Sequence, residues 1–362
     1  MSEIRALEDR DIEPVAALYE RVVRSGANNA PPGLVDYFRR TLLDHPWSDP
    51  DIPSLVYEGG DGRILGFIGS HPRRARLDQQ QIRIGCSGQL VSDPLHGNPA
   101  VGALLMRRYL GGPQDLTITD GATQLVSDMW TRLGGFVVHP SSFVWTRLLR
   151  PARAGGERLA TRSGRPELPR GAAPVLGLVD AAATRWTRPS GADPDLESVE
   201  LTAAALVEHE PEVSRGARLR RELDVPAAEW LLRELAAVTT RGRLVRRLIR
   251  RAGRPVGWYV AYLRSGGTSQ VLDVRAVAGE IDAVFDVLVD ECWRSDATAV
   301  EGRVDPWLFE TVARRRLLVR PRERVLYHTR EPEIERTVAS GTSGLSRLDG
   351  EWWMGHHTEP FG

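Results

Sequence analysis

The stretch from residue 90 to residue 105 has residue types and spacing suited to binding a phosphate. A strand pattern ends near residue 91, a proline follows at 94, and Gly97, Ala100 and Gly102 then lead into a helical pattern. Small residues allow backbone N–H groups to approach a pyrophosphate, and the positive end of the following helix attracts its charge. The stretch predicts a phosphate-binding loop, and an ordinary strand-to-helix turn is the alternative.

Three nearby side chains are candidates for proton transfer. His96 has an ordinary pKa near neutrality, Asp93 precedes the loop, and Asp120 follows a short apolar strand pattern. Each has a simpler alternative: His96 as a solvated loop histidine, Asp93 as a cap, and Asp120 as a partner of its own turn. The sequence supplies no pairing geometry that selects one of them as a base.

Composition excludes several other chemistries. All 48 residues in the Lys+Arg count are arginine, and 48 acidic residues balance them. Without lysine the chain cannot be a Schiff-base enzyme, a P-loop protein or a protein kinase. Zero net charge argues against nucleic-acid binding, which depends on neutralising phosphates. Cys86 and Cys292 are too few for a disulfide framework or a zinc pattern, and no metal site is expected.

The N-terminus, the longest apolar run and the C-terminus give expectations about location and packing. The N-terminus lacks a signal-peptide pattern, and the longest strongly apolar run, 256–263, is too short to span a bilayer. These features predict a cytoplasmic protein without a membrane partner. Near the C-terminus, Trp352 and Trp353 are expected to dock as an apolar tail, with stacking on a ligand or partner as the alternative. His356 and His357 lack metal-site spacing.

The elements that must position these residues follow from apolar periodicity. The patterns predict a strand, two helices, a hairpin, a further strand, the small-residue loop, a helix, a strand, a helix and paired strands within residues 2–149. Strands at 81–91 and 116–119 flank the predicted loop and its helix. The candidate residues therefore lie at strand ends.

The second half repeats this order, which indicates a duplication. Gly62–Phe67 corresponds to Gly253–Trp258, and each segment begins with a tight turn and has a glycine inside the following strand. Residues 150–172 are rich in Arg, Gly, Ala and Pro and predict a linker. The predicted organisation is a first module at 1–150, a linker with a helical segment at 151–194, a second module at 195–330 and a tail at 331–362.

This order of elements resembles the GNAT superfamily of N-acetyltransferases, in its tandem two-module form. The resemblance is also carried by Asp61–Phe67, by the loop at Gly97–Gly102, and by Trp130–Phe136, where the family often has a Tyr followed by Leu-Gly-Phe. It implies an α/β (α+β) fold with two modules, each a mixed, mostly antiparallel central sheet flanked by helices.

The resemblance also implies a function: an acyltransferase, expected to be an N-acetyltransferase, that uses acetyl-CoA or another acyl-CoA and a small-molecule or peptide amine. The base candidates stay Asp93, His96 and Asp120. Arg107 and Arg108 are the nearest cations for a CoA phosphate. The residues expected to bind CoA are Leu90, Val91, Gly97, Asn98, Ala100, Val101, Gly102, Ala103 and Arg107.

The chain departs from the family pattern at several places. Gly97 replaces the leading basic or amide residue of the loop, Pro99 removes a donor, and Trp130 replaces a tyrosine that serves as general acid. The second loop places Glu280 where a phosphate would bind, so the second module is expected not to hold CoA and to act as scaffold, dimer surface or acceptor-site wall. A homodimer, a non-catalytic tandem scaffold and an aminoacyl transferase using transfer RNA stay open as alternatives.

Overall fold

The computed structural model describes residues 2–95, 100–162, 172–189, 191, 193–322 and 324–361. The strands are β1 Glu3–Ala6, β2 Leu55–Glu58, β3 Ile64–Leu77, β4 Gln80–Ser92, β5 Leu116–Thr119, β6 Phe136–Val137, β7 Phe143–Leu148, β8 Leu196–Glu200, β9 Leu219–Arg221, β10 Arg243–Arg251, β11 Arg254–Leu263, β12 Thr268–Ala276, β13 Ala299–Arg303, β14 Leu318–Pro321 and β15 Leu326–Thr329. The helices are α1 Ile12–Tyr19, α2 Pro32–Phe38, α3 Val101–Leu110, α4 Gln124–Arg132, α5 Pro151–Arg162, α6 Ala172–Thr187, α7 Ala203–Val213, α8 Val225–Ala237, α9 Ile281–Arg294, α10 Phe309–Arg314 and α11 Pro332–Ala339.

The chain forms two compact units that are interleaved in sequence. Unit 1 comprises Met1–Ser142, Ala217–Leu235 and Glu323–Gly362, and unit 2 comprises Phe143–Gly216 and Ala236–Arg322. Each unit contains a mixed sheet flanked by helices, as the α/β expectation required. The domain boundaries drawn from the sequence stay predictions.

The sheet of unit 1 has the order β1-β2-β3-β4-β5-β15-β6, with β9 added beside β3. The β4–β5 pair is parallel, and the other neighbours are antiparallel. The sheet of unit 2 has the order β8-β10-β11-β12-β13-β7-β14, and its β12–β13 pair is the parallel one. The two sheets therefore repeat one pattern of strand order and direction.

One strand of each sheet comes from the other half of the sequence. β7 was expected to pair beside β6, but it lies between β13 and β14. β15 was expected to close the second half, but it lies between β5 and β6. Local periodicity identifies a strand without identifying its partner, because pairing depends on the tertiary fold.

The predicted linker is also partly regular. Residues 151–162 form α5, although their composition predicted no periodic structure. The Asp180 carboxylate accepts hydrogen bonds from the backbone N–H groups of Ala152 (2.8 Å) and Arg153 (3.1 Å), which satisfies donors that the first turn of a helix leaves open. Alanine and arginine are strong helix formers, and this tertiary cap fixes where the helix begins.

The helix α3 packs closely on the sheet of unit 1 because a strand glycine leaves room for it. A Cβ on Gly66 would overlap Val101 Cγ1 and would lie 3.0 Å from Leu105 Cδ1. Val101, Leu105 and Tyr109 then bury their side chains against Ile68. This contact places the first turn of α3 directly over the hairpin and just after the end of β4.

Candidate functional site

The parallel strands β4 and β5 part in the middle of the unit 1 sheet. Their pairing runs from Ile84–Leu116 to Cys86–Ile118 and then ends, while β4 continues to Ser92. We call the opening the fork and define it as residues 86–92 of β4 with residues 119–121 at the end of β5. Backbone groups that face a fork have no strand partner there and are available to another group.

A bulge in β4 lies within the fork. Between Gly88 and Val91, β4 has two residues opposite the single residue Ile68 of β3, and Gln89 has a φ of 50°. A bulge bends its strand and turns a side chain in a new direction. A Cβ on Gly69 would overlap the Gln89 amide oxygen, so this glycine leaves the space that the turned side chain occupies.

The fork contains the carboxyl group of Glu351, which comes from the C-terminal tail, defined here as residues 343–361. Thr119 Oγ1 donates to Oε1 at 2.5 Å, and the Gly121 backbone N–H donates to the same oxygen at 3.2 Å. The Asp120 backbone N–H donates to Oε2 at 3.2 Å, and Cys86 Sγ lies 3.5 Å from that oxygen. These donors fix one carboxyl group between the two strands.

Asp120 holds the tail in place. Its Oδ1 accepts hydrogen bonds from the backbone N–H groups of Glu351 (2.9 Å) and Trp352 (2.8 Å). The preceding residue must be small, because a Cβ on Gly350 would lie under 3.0 Å from three atoms of the Asp120 carboxyl group. Asp120 therefore lies at the fork, as expected, but its described contacts make it an anchor for the tail.

The electrostatics of Glu351 are unusual for a carboxyl group. Burial, followed by the neighbouring carboxylate of Asp120, raises the pKa of Glu351 to about 8. Among the described residues, no arginine or histidine forms an ion pair with it. Burial also raises the pKa of the nearby Cys86 thiol, with Glu351 as the next cause. At neutral pH the fork therefore contains a neutral thiol and a carboxyl group that can exchange a proton.

The rest of the tail contacts β4 and the first helical segment of unit 1. The Gln89 side-chain amide lies 3.1 Å from His71 Nε2 and 3.1 Å from His356 Nδ1, so it bridges β3 and the tail. Arg24 donates to the carbonyl oxygens of His356 (2.5 Å) and Glu359 (2.6 Å). The tail is thus held at the fork and at the end of the first helical segment.

The expectation of a docked tryptophan tail is confirmed for Trp353, which is fully buried. Its ring lies edge-on to Trp230 at a centroid distance of 6.4 Å. Trp352 is half-buried and lies under the guanidinium of Arg347 at 4.1 Å. The side chain of His357 lies outside the described residues.

Asp93 has a different environment from Asp120. Its carboxylate accepts hydrogen bonds from Arg21 (2.7 Å) and from the Leu95 backbone N–H (2.8 Å). It lines a cleft of about 460 Å³ between α1 and the β2–β3 turn, together with Arg5 and Arg63. In the described contacts Asp93 anchors α1 to the end of β4, and its role as a base stays a prediction.

The predicted phosphate loop is only partly visible. His96, Gly97, Asn98 and Pro99 lie outside the described residues, so the expectations placed on them are untested. Leu90, Val91, Ala100, Val101, Gly102, Ala103 and Arg107 are described.

These described residues differ in their surroundings. Leu90 and Val101 belong to the packing beneath α3, whereas Arg107 is exposed. A Cβ on Gly102 would meet only Ser92 Oγ, at 3.9 Å. Among the described residues a side-chain Cβ at position 102 therefore has room, although Gly102 itself is buried.

Trp130 is a core residue, as the sequence favoured. It is 1% exposed, packs against Met106, Leu110 and Leu326, and donates its indole N–H to the Tyr327 carbonyl oxygen at 2.9 Å. An indole does not ionise usefully. Its position explains the extra glycine before Phe136, because a Cβ on Gly135 would overlap the Trp130 ring.

Unit 2 has a fork at the corresponding place, and buried charged side chains of unit 2 lie beyond the end of its strand pairing. The β12–β13 pairing ends at Val271–Gly302. Beyond it, Arg275 Nε lies 3.0 Å from Asp273 Oδ1, and Arg303 Nε lies 2.6 Å from Asp305 Oδ1. All four side chains are buried, and burial raises the pKa of Asp305.

The loop that precedes α9 in unit 2 contains an acidic residue. Glu280 stands at the start of α9 and pairs with Arg251 at 3.1 Å. A carboxylate at this position repels a phosphate. The charged side chains described here are thus paired with one another within unit 2.

The sequence reasoning missed Glu351, the residue most deeply placed in the fork. It lies 230 residues from Gly121 in sequence, with no motif connecting the two. One signal was present: an acidic residue between Gly350 and a tryptophan pair, within a tail expected to dock. A carboxyl group carried into a buried position by such a tail needs a polar receptor, which here is the end of β5.

Comparisons with known proteins give a fold. No protein-family model matches the chain, and no curated protein matches it. Three solved structures match over 90% of it. They are a probable N-acyltransferase from Enterococcus faecalis V583 (9% identity, TM-score 0.56, 72% of that chain), a GCN5-related N-acetyltransferase from Kribbella flavida (16%, 0.50, 70%) and another from Anabaena variabilis ATCC 29413 (12%, 0.56, 72%).

The chain has the fold of the GCN5-related N-acetyltransferases. The prediction of that fold is confirmed. Fold alone does not determine activity, which depends on the site. In the described residues no helix is long and apolar enough to cross a membrane, and no cluster of three metal-ligating side chains occurs.

Proposed function

We propose that the protein is an acyl-CoA-dependent N-acyltransferase whose reaction takes place at the fork of unit 1. The observation that carries this proposal is the fork itself: a parallel strand pair that ends at Cys86–Ile118, a bulge at Gln89, and a helix beginning at Val101 just after β4. The three solved structures support it through their fold. The acceptor is a small-molecule or peptide amine, and the donor is acetyl-CoA or another acyl-CoA.

The described residues fit the donor in two respects. The start of α3 presents backbone N–H groups and the positive end of a ten-residue helix to a pyrophosphate. Gly102 is buried at this end of α3, and among the described residues a Cβ there would meet only Ser92 Oγ, at 3.9 Å. The unpaired edge of β4 beyond Cys86 offers backbone donors and acceptors to the extended part of the donor.

We assign unit 2 a supporting role within the same proposal. It repeats the strand order of unit 1, but its fork is closed by ion pairs and its loop carries Glu280. These features support a second copy of the module that does not bind CoA.

A calorimetric titration with acetyl-CoA tests the donor site. The wild-type protein should bind acetyl-CoA, and Gly102→Glu should abolish binding, because it adds bulk and negative charge at the first turn of α3. Gly102→Ala is the matched control, since a Cβ there has room, and it should keep the fold and the helix. Absence of binding by the wild type at millimolar ligand contradicts the proposal.

A second assay tests transfer. Release of free CoA thiol is followed with acetyl-CoA and a panel of primary amines, with an amine-free blank for hydrolysis. Amine-dependent release supports the transferase.

One observation favours a second candidate, a non-catalytic binding or scaffold protein. The tail occupies the fork, where Glu351 accepts hydrogen bonds from Thr119 and from the backbone N–H of Asp120. A scaffold of this kind would not bind acetyl-CoA and would not release CoA thiol when an amine is added. Acetyl-CoA binding together with amine-dependent thiol release excludes this candidate.

A further inference from the structure

Two carboxyl groups meet at the fork, and among the described residues no cation forms an ion pair with Glu351. Elsewhere in the tail the acid Asp349 lies 3.6 Å from Arg221, so a cation accompanies it. Glu351 instead receives only neutral donors and lies beside Asp120. An ionised carboxylate in such a place is costly. A glutamine would fill the same space, but its NH2 group would face one of the backbone N–H groups that donate to Glu351.

The two oxygens of Glu351 have different surroundings. Oε1 accepts from a hydroxyl and from a backbone N–H, those of Thr119 and Gly121. Oε2 accepts from the Asp120 backbone N–H and faces the Cys86 thiol, which is a weak donor. Oε2 is therefore the oxygen with capacity to take up a proton.

We propose that Glu351 is the proton acceptor of the acyl-transfer reaction, carried into the fork by the tail and positioned by Asp120. The inference rests on the proposed function. The amine nitrogen attacks the thioester carbonyl carbon, the C–N bond forms and the C–S bond breaks. The proton lost by the amine moves to Oε2 of Glu351, and the CoA sulfur leaves as a thiolate that takes a proton from solvent.

The charged and titratable groups around Glu351 suit this role. Asp120, beyond β5, disfavours a second negative charge, and burial keeps Cys86 of β4 and Tyr109 of α3 neutral by raising their pKa values. Arg73 of β3 is fully buried, and its positive charge favours ionised Glu351. The resulting balance leaves the carboxyl group poised near neutral pH, where a general base is most effective.

The test compares Glu351→Gln with wild type, using acetyl-CoA and an arylamine such as p-anisidine beside the amine panel. Arylamines are uncharged near neutral pH, so a change of kcat/KM with pH reports a titrating group of the protein and not of the amine. The expected result is a fall of about 100-fold or more in kcat/KM, with acetyl-CoA affinity unchanged. The rise of wild-type kcat/KM with pH, centred near pH 8, should be absent in Glu351→Gln. Glu335→Gln, an exposed carboxyl in α11, is the matched control and should behave as wild type.

An infrared titration of the free protein keeps the inference testable if Glu351→Gln folds poorly. A protonated carboxyl band that disappears near pH 8 in the wild type and in Glu335→Gln supports it, and absence of that band overturns it. A Glu351→Gln protein that transfers as fast as wild type, or faster, also overturns it. Wild-type protein that fails to bind acetyl-CoA or to acylate any amine instead refutes the proposed function.

Discussion

Replacing Gly350 with alanine should detach or strain the tail at the fork. Gly350 has φ −93° and ψ −167°, an extended conformation that alanine adopts freely, so the effect is steric. The new Cβ would lie under 3.0 Å from three atoms of the Asp120 carboxyl group, which is buried. Asp120 cannot turn aside without losing its hydrogen bonds to Glu351 N (2.9 Å) and Trp352 N (2.8 Å).

The magnitude follows from the cheaper of two responses. Losing both hydrogen bonds to a charged acceptor would cost about 1.5–3 kcal/mol each. Shifting the backbone to relieve the overlap costs about 1–3 kcal/mol, so this second route sets the expected loss. For a folded body of this size, each kcal/mol lowers the melting temperature by roughly 2–4 °C.

Urea and thermal unfolding, followed by near-ultraviolet circular dichroism of the buried Trp353, measure this loss. Gly102→Ala is the control in the same unit, because its Cβ meets only Ser92 Oγ at 3.9 Å and alanine favours a helix. It should leave stability equal or slightly higher. If Gly350→Ala unfolds at the same temperature and urea concentration as wild type, the described contact between Gly350 and Asp120 is refuted.

Three further predictions concern pH and buried polar groups. Because the pKa of Glu351 is raised from 4.5 to about 8, its stabilising contribution is complete below pH 4.5 and is lost as the pH rises through 8. Urea unfolding should therefore show that wild type loses stability relative to Glu351→Gln between pH 5 and 9. The opposite trend contradicts a raised pKa for Glu351. Trp130→Phe removes the hydrogen bond to Tyr327 and should lower unfolding free energy by about 1 kcal/mol while kcat is unchanged; a large fall in kcat would give Trp130 a chemical role. Arg275→Met removes the buried guanidinium that pairs with Asp273 and should destabilise by about 3–5 kcal/mol, seen in calorimetry as a lower melting temperature.

Much of the local structure of unit 1 was predictable from periodicity. The strand expected at 81–91 is β4 at Gln80–Ser92, and the helix expected after the small-residue loop is α3 at Val101–Leu110. These elements bury one continuous apolar face, so their spacing appears directly in the sequence. The helix expected after the strand at 116–119 is α4, and the Thr123 hydroxyl accepts a hydrogen bond from Val126 N at 3.4 Å at its start.

Partner choice was not predictable in the same way. β7 follows β6 closely in sequence, yet the two strands belong to different sheets. The residue pattern of each strand is compatible with more than one neighbouring strand, and no local residue determines which neighbour pairs with it. β9 is three residues long and too short for a periodic signal, so only its pairing with β3 reveals it.

The sequence by itself determined the excluded chemistries, most of the strands and helices of unit 1, and the docking of the tail, because lysine content, apolar spacing and paired tryptophans are properties of the chain alone. Only the tertiary structure decided which carboxyl group enters the fork. Asp120 is turned to the tail backbone, and Glu351 occupies the opening. The reason is physical: a buried carboxyl group goes where converging donors satisfy it, and only the folded chain brings Thr119, Asp120 and Gly121 to residue 351.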